Sequence, residues 1–193
     1  MNGITLPSSR EKYIEEVTVG DREPHNGKVV LEEYNSNWSV LFEREAERIR
    51  SILGNRAIQI HHVGSTAVPG LCAKPIIDIV LVVQNSSAES SYVTDLEAAG
   101  YRLHIREPDW FNHRLLKELD TDINLHVFSE QEPEVERMII FRDWLRNHED
   151  DRHLYATVKH ELSRRDWQHI QHYADAKTAI IQEIMERAMF NTQ

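Results

Sequence analysis

Apolar residues follow two different periods along the chain, and the period changes near residue 130. Before that point, short apolar or alternating runs rich in branched side chains predict β-strands. These runs cover residues 29–31, 58–63, 76–83, 101–105, 112–117 and 123–128. The run at 76–83 is almost continuously apolar, so we expect an interior strand with both of its faces covered.

A helical period first appears between the runs at 29–31 and 58–63, and it dominates the chain after residue 130. Either Ser36 or Asn37 is the expected cap of the first helix, and Gly54 is its expected end. Its apolar face consists of Trp38, Leu41, Phe42, Ala46 and Ile49. Further helices are predicted at 90–99, from Pro133 onward, at 151–164 and at 166–189.

These elements together predict an α+β fold, in which a mixed β-sheet with flanking helices precedes a C-terminal helical region. Residues 1–27 are rich in turn-forming sequences and are predicted to form an N-terminal arm. Residues 28–191 form the predicted domain, which is sheet-rich over 28–130 and helical over 131–191.

Charge and composition narrow the expected partners. The chain has 22 basic and 32 acidic residues and a formal net charge of −10. Binding to long nucleic acids is therefore not expected, because phosphate neutralisation needs clustered Lys and Arg. No apolar run is long enough to span a bilayer, so no membrane partner is expected. A single cysteine, Cys72, and an N-terminus without secretory-signal features predict a cytoplasmic location.

The segment between the strands at 58–63 and 76–83 carries the first candidate chemistry. A strand that ends in Gly64 and Ser65 and enters a helical turn presents backbone amides and a hydroxyl, which suit a phosphate group. Gly64 allows close approach of the backbone, and Ser65 or Thr66 can donate a hydroxyl. Lys74 is either a further phosphate ligand or the counter-ion of Asp78.

Asp78 is the candidate for catalysis or metal binding, because it interrupts an apolar strand. A carboxylate in that position needs a partner or a metal, although it can also serve only to order a loop. On the strand at 123–128, Asn124 and His126 share the polar face. Asp78, His126 and His62 therefore form a candidate site for a divalent cation, Mg²⁺ or Mn²⁺, with Zn²⁺ left open.

The helical region adds candidate phosphate ligands. Arg142 and Arg146 lie four residues apart and can fork around phosphate oxygens. Alternatively, both arginines are solvated or paired with acids such as Asp143. A Tyr-x-x-x-Lys pattern with the same spacing occurs twice, as Tyr155 with Lys159 and as Tyr173 with Lys177.

With these motifs the sequence resembles the GrpB family (UPF0157), a group of small bacterial proteins. The resemblance covers residues 29–188, and its longest motif runs from His62 to Asp78. The other matching motifs are Tyr34-x-x-x-Trp38-x-x-x-Phe42, Gly100-Tyr101, Asn124-Leu-His126-Val-Phe, Phe141-Arg142-Asp143-x-Leu-Arg146 and the two Tyr-x-x-x-Lys pairs.

The resemblance implies a nucleotidyltransferase-like fold. Active members of that superfamily use a Gly-Ser turn and three acids to hold two Mg²⁺ ions and a nucleoside triphosphate. Here Ile76 stands at the position of the first acid, and the strand of the third acid offers Asn124 and His126. The resemblance therefore implies a nucleotide or another phosphorylated small molecule as the partner, at an atypical metal site.

Two functions lead at this stage, and a protein-interaction role through the C-terminal helices is a third option. In the first, the protein transfers a nucleotidyl group to a small acceptor: Ser65 and Lys74 hold phosphates, and Asp78 binds the metal. His62 or His126 then completes the metal site or acts as the base. In the second, a non-catalytic module binds a nucleotide or a CoA-related ligand with the same residues. The resemblance favours this alternative through related domains fused to dephospho-CoA kinase.

Overall fold

A computed structural model describes residues 9–20, 25–118 and 121–190, so part of the predicted arm lies outside the described residues. The strands are β1 (Gly27–Lys28), β2 (Gln59–Val63), β3 (Ile77–Val83), β4 (Tyr101–Glu107), β5 (His113–Glu118), β6 (Ile123–Ser129) and β7 (Asp166–Trp167). Five of them form one sheet in the order β2-β3-β6-β5-β4. β3 and β6 are parallel and the other neighbours are antiparallel. This mixed sheet confirms the predicted α+β class.

The helices are α1 (Ser9–Val17), α2 (Asn37–Leu53), α3 (Val93–Ala98), α4 (Pro133–Asn147), α5 (Glu149–Ser163), α6 (Ile170–Asp175) and α7 (Thr178–Phe190). The prediction of one helix over 166–189 was wrong. The segment starts with β7, which pairs with β1, and α6 and α7 are separated by a turn. Pairing with a distant strand therefore overrides the local helical pattern at the start of this segment.

The prediction of a strand at 29–31 was also wrong. The residues that form the β-pairing directly precede this run, at Gly27–Lys28. The side chain of Val29 instead packs in a buried cluster with Leu162 and Tyr173. Val29 is buried but Val30 is 70% exposed, so the apolar run reflects the burial of part of its side chains and not backbone pairing.

Helices cover both faces of the five-stranded sheet. On one face, α2 and α3 pack against the largest apolar cluster, which includes Ile79, Leu116 and Leu125. On the other face, Val80 and Phe128 pack with residues of α4. Every residue of β3 is buried except Asp78, which confirms that this strand lies in the interior of the sheet with both faces covered.

The described part of the predicted arm lies against the sheet edge. Thr18 forms a β-bridge with Ile105, and the amide of Val19 donates to the carbonyl of His104 at 2.9 Å. Arg10 makes a two-pronged contact with Asp175. The domain boundary at residue 28 stays a prediction. Among the described residues, no helix has the length and apolar character needed to cross a membrane.

Candidate functional site

Asp78 lies on the sheet face that carries α4, near the start of β3. The register pairs Asp78 with Val63 on β2 and with Asn124 on β6. The Asn124 amide donates to Asp78 Oδ1 at 2.9 Å, and His126 Nε2 lies 3.7 Å from the same oxygen. The structure therefore brings Asp78 together with Asn124 and His126, on the face that the sequence pattern indicated.

The Asp78 carboxyl is ionised at neutral pH. Burial alone would raise its pKa, but the His126 imidazole, the Asn124 amide and the Lys177 ammonium together lower the pKa below its usual value. The site therefore presents a negative charge that is in contact with one amide donor and close to one imidazole.

Gly64 brings the loop backbone directly onto this carboxylate. Its φ of 70° and ψ of −171° define a backbone conformation that is almost confined to glycine. A Cβ on residue 64 would lie 2.5 Å from Asp78 Oδ2. The absent side chain is thus the reason why the loop and the carboxylate can meet.

The turn that follows is shorter than the sequence suggested. Ser65–Ala67 is a three-residue 3₁₀ helix, which is too short to offer a substantial helix dipole to an anion. Thr66 is fully buried, and its hydroxyl donates to the carbonyl of Ile76 at 3.1 Å. Of the two predicted hydroxyl donors, Ser65 is therefore the accessible one, and Thr66 holds the loop in place.

Positive charge at the site comes from lysines instead. Lys159 is 2% exposed, and its ammonium donates to Ser65 Oγ at 3.0 Å and to the carbonyl of Cys72. Lys74 and Lys177 are half-buried. Within the part of the chain that the structure describes, none of these three lysines has a carboxylate within 4.0 Å.

The lysines also act on one another electrostatically. Burial lowers the pKa of Lys177; the Asp78 carboxylate opposes this effect, and the Lys74 ammonium reinforces it. Burial lowers the pKa of Lys159 to about 7, with Cys72 opposing and Lys177 reinforcing the shift. Lys74, Lys159 and Lys177 therefore lie near one another and near Asp78, and Lys159 is partly deprotonated at pH 7. This group of lysines occurs in a protein whose net charge is −10.

Two tyrosines form the wall behind the lysines. Tyr155 is buried; burial raises its pKa, and its hydroxyl is hydrogen-bonded to Ser65. Tyr173 is equally buried, and its hydroxyl has no hydrogen-bond partner among the described residues. The Lys177 ammonium lies 4.7 Å from the Tyr173 ring centroid. The sequence treated the two Tyr-x-x-x-Lys pairs alike, and the structure places lysines of both pairs close enough to interact electrostatically.

The structure does not bring His62 to Asp78 and His126. His62 pairs with Ile79, the residue after Asp78. Because successive residues of a strand point to opposite faces, the side chain of His62 lies on the face opposite to Asp78. Its ring stacks on Phe42 with a centroid separation of 4.7 Å, and its Nε2 is 3.1 Å from Thr66 Oγ1. Burial lowers the pKa of His62 to about 4. An ion shared by all three predicted ligands therefore does not fit this sheet.

Among the described residues, neither Arg142 nor Arg146 forms an ion pair with Asp78. Arg142 donates to the carbonyl of His62 at 2.9 Å, Arg146 donates to the carbonyl of Ala67 at 2.9 Å, and both contact Asp143. The two arginines thus attach α4 to β2 and the loop, as the alternative reading with Asp143 expected. They line a separate cavity of about 260 Å³ with Ser39, Phe42, Glu43, Ile60, His61 and His62.

Asp78 and His126 are the two predicted metal ligands that the structure brings together. Among the described residues, no group of three or more His, Cys, Asp or Glu side chains is arranged to hold an ion. Asp78 Oδ1 and His126 Nε2 are 3.7 Å apart, which allows both to ligate one cation at about 2.0–2.2 Å. A mixed oxygen and nitrogen pair suits Zn²⁺ or Mn²⁺ better than Mg²⁺, which prefers oxygen ligands. Further ligands would have to come from water or from a bound phosphate.

The buried lysine makes a measurable prediction about stability. The Lys159 pKa is lowered from 10.5 to about 7 in the folded state, so between these values the unfolded chain binds one proton more. The free energy of unfolding therefore rises with pH across this window, and Lys159→Met removes that contribution. We compare the free energy of unfolding of the wild type with that of Lys159→Met. The difference, wild type minus variant, should increase by about 2 kcal/mol between about pH 7 and pH 9.

Urea unfolding at several pH values measures this difference. Lys28→Met is the matched control, because Lys28 is exposed and its loss should leave the pH dependence unchanged. A difference between wild type and Lys159→Met that does not vary with pH would mean that Lys159 keeps its proton in the folded protein.

Comparison with known proteins gives one consistent result. A family model described as GrpB protein matches residues 28–187. A UPF0157 protein of Halalkalibacterium halodurans is 60% identical over 178 residues, covering 92% of this chain and 91% of the relative. The crystal structure of the conserved protein GrpB from Enterococcus faecalis is 29% identical with a TM-score of 0.75, covering 84% of this chain and 99% of that chain.

Some further relatives carry a different name. A protein of Mycolicibacterium paratuberculosis named dephospho-CoA kinase is 29% identical over 177 residues. The match covers 78% of this chain and 44% of that protein. The similar region is thus less than half of a longer relative.

Proposed function

Because this chain belongs to the GrpB family, whose model spans most of it, we propose that it binds a nucleotide or a related phosphorylated small molecule at the loop that joins β2 and β3. One observation carries the proposal: Lys159 donates to Ser65, and Lys74 and Lys177 lie close enough to Asp78 to interact with its charge. Among the described residues, none of the three lysines has a carboxylate within 4.0 Å. We call the site formed by Ser65 and these three lysines the lysine pocket.

The physical reason is the cost of gathering ammonium groups away from water. Burial lowers the pKa of all three lysines, so each is held in a less favourable charged state than in solution. An anion in the lysine pocket would reverse this effect, because it compensates charge that the protein itself leaves unpaired. A phosphate group fits best, since it accepts several charge-assisted hydrogen bonds at once. Ser65 supplies a hydroxyl within the same pocket.

A divalent cation at Asp78 and His126 completes the proposal. Such an ion neutralises phosphate oxygens and acts as a Lewis acid when it is bound. Asp78 would bind it through Oδ1 and His126 through Nε2, while Asn124 orients the carboxylate. The lysine pocket borders Asp78: the Lys177 ammonium lowers the pKa of Asp78, and the Asp78 carboxylate raises the pKa of Lys177.

Ligand binding without transfer is the form of the function that the geometry favours. Transfer of a nucleotidyl group by the superfamily's route requires several carboxylates around two Mg²⁺ ions. Next to Asp78 on this face lie Asn124, His126 and Val63, and none of them is an acid. A CoA-related ligand is the second class we propose to test, since it carries phosphates and one relative is named dephospho-CoA kinase.

Calorimetric titration with ATP, dephospho-CoA and inorganic phosphate, each with and without Mn²⁺, tests the proposal. We expect at least one of the organic phosphates to bind, and Lys177→Met to weaken this binding about 10- to 100-fold. That factor corresponds to the loss of one charge-assisted contact. Lys28→Met removes an exposed lysine of the same length and should leave the affinity unchanged.

Two results would count against the proposal. One is the absence of binding by any of the three phosphate compounds in either metal condition. The other is equal weakening by Lys177→Met and Lys28→Met, which would show that only the net charge matters and not the lysine pocket.

A further inference from the structure

A cavity of about 260 Å³ lies at one edge of the five-stranded sheet. β2 is the strand at this edge, and Ile60, His61 and His62 of β2 form the floor of the cavity. α2 and α4 pack on opposite faces of the sheet, and residues of both helices form the walls. We call this space the edge cavity. It shares no residue with the lysine pocket.

The α4 wall of the edge cavity carries more positive than negative charge. Arg142 donates to both carboxylate oxygens of Asp143, at 2.7 Å and 2.8 Å. Arg146 donates to the carbonyl of Ala67 through Nε and to Asp143 at 3.3 Å through Nη1. Its Nη2 forms no hydrogen bond within the part of the chain that the structure describes. One carboxylate thus serves two guanidinium groups, and the contact with Ala67 fixes the guanidinium group that still has free donors.

The α2 wall carries the opposite charge. Glu43 lines the edge cavity, is exposed, and forms no ion pair within 4.0 Å among the described residues. Ser39 lies four residues earlier on the same face of α2 and adds a hydroxyl. On the floor, burial and the Arg142 guanidinium lower the pKa of His61, and burial lowers the pKa of His62 to about 4, so both imidazoles are neutral at pH 7. An acid and a guanidinium therefore lie on opposite walls and are not paired with each other.

An apolar surface accompanies the two charged walls. Phe42 and Ile60 line the edge cavity together with the charged groups. The Phe42 ring is buried and stacked on that of His62, with the ring planes 10° apart, so packing fixes its position. An aliphatic group placed against these side chains would be removed from water, which favours binding. The edge cavity thus combines a cationic, an anionic and an apolar surface.

We infer that the edge cavity binds a small zwitterion with an apolar body, such as a free aliphatic amino acid. Its carboxylate accepts hydrogen bonds from Arg146, and its ammonium group lies at Glu43. Glu43 would repel a simple anion and Arg146 a simple cation, whereas a molecule with both charges is attracted to both walls. The edge cavity is smaller than the roughly 300–1,000 Å³ of pockets that enclose drug-sized ligands, which limits the occupant to a small molecule.

Titration of the ¹⁵N-labelled protein, followed by two-dimensional NMR, measures weak binding and locates it on the chain. The probes are L-leucine, N-acetyl-L-leucine, which lacks the positive charge, and L-leucinamide, which lacks the negative charge. We expect L-leucine to bind about fivefold or more tightly than either analogue, with the largest shifts at amides of α2, β2 and α4. The inference is wrong if L-leucine does not bind, if all three probes bind equally, or if the largest shifts lie around the lysine pocket.

Two variants test the charged walls one at a time. Glu43→Gln should weaken binding of L-leucine and L-leucinamide about fivefold and should not weaken that of N-acetyl-L-leucine, which has no ammonium group. Arg146→Gln should weaken binding of L-leucine and N-acetyl-L-leucine about tenfold and should not weaken that of L-leucinamide. Glu43 is exposed, so Glu43→Gln keeps the fold and remains a test even if Arg146→Gln disturbs the loop at Ala67. A Glu43→Gln protein that binds all three probes as the wild type does would overturn the inference.

Matched controls separate the edge cavity from net charge. Glu47→Gln and Arg50→Gln make the same two substitutions at exposed positions of α2 outside the cavity, and all three affinities should stay unchanged. Equal effects of Glu43→Gln and Glu47→Gln would contradict the inference, because only the net charge would then matter. The inference does not rest on the proposed function: if L-leucine binds as expected and ATP does not bind, the lysine pocket fails as a ligand site and the edge cavity stands.

Discussion

Replacing Gly64 with alanine is expected to abolish measurable binding of ATP while the protein still folds. The new methyl group would lie 2.5 Å from Asp78 Oδ2, so either the loop or the carboxylate must move. The positive φ of residue 64 adds backbone strain of about 1–3 kcal/mol. Movement of the loop carries Ser65 away from Lys159, which breaks the lysine pocket. We expect a loss of affinity of more than about 100-fold, since one displaced loop removes several contacts together.

Gly70→Ala is the matched control for this prediction. Gly70 also has a positive φ, of 76°, but the nearest atom to its added Cβ is Arg152 Nε at 3.8 Å. Both variants should lose stability in urea unfolding through the positive φ, and Gly64→Ala should lose more because of its clash with Asp78; only Gly64→Ala should lose ligand affinity. If Gly64→Ala binds ATP as the wild type does, the loop is not the phosphate site.

The polar face of β6 could be predicted from the sequence because alternation is a local property of a strand. Asn124 and His126 are two residues apart, so they share a face in any β-pairing. Their meeting with Asp78 depended only on β3 and β6 being neighbours, which the structure confirms. Local periodicity was thus sufficient for this part of the site.

The error over His62 shows what periodicity cannot supply. His62 and Val63 are adjacent, and a shift of one residue in the pairing of β2 with β3 would exchange their faces. Nothing within either strand sets that register. It depends on the length and conformation of the loop between them, where Gly64 has its unusual backbone angles.

The contact of His113 Nδ1 with Glu107 Oε2, at 2.7 Å, was beyond sequence reasoning for a related reason. Glu107 and His113 meet only because of the bulge in β4 between Leu103 and Ile105, and a bulge leaves no regular pattern in the sequence. Tyr13, whose hydroxyl donates to Glu107 at 2.7 Å, comes from a segment that was predicted to be an arm, 94 residues from Glu107 in sequence. Lys177 was visible as part of a repeated motif, but its proximity to Asp78 depends on the turn between α6 and α7.

Asp78→Asn should abolish the effect of metal on ligand binding rather than weaken it. Asparagine has the same shape and can still accept from Asn124, so the loop should keep its structure. The variant loses the charge that a divalent cation requires. We expect Mn²⁺ to improve ATP binding to the wild type by about tenfold or more and to have no effect on Asp78→Asn.

Without metal, the same substitution should strengthen binding. The wild-type carboxylate repels phosphate and weakens the attraction of the nearby Lys177, and its removal leaves the lysine pocket more positive. At the surface of a protein, one such charge at short range contributes on the order of 1 kcal/mol, which corresponds to a several-fold gain in affinity. The two calorimetric curves should therefore cross as Mn²⁺ is added: the variant binds ATP better in its absence and worse in its presence.

Asp122→Asn distinguishes this local effect from a change in net charge. Asp122 is exposed and acts on Lys74, so the substitution removes one negative charge near the lysine pocket without removing a metal ligand. It should raise metal-free affinity slightly and retain the response to Mn²⁺. If Asp78→Asn and Asp122→Asn respond to Mn²⁺ alike, Asp78 does not bind the ion, and the carboxylate then serves only to hold the loop through Asn124. Binding by the lysine pocket would survive that result, because its lysines do not depend on the metal.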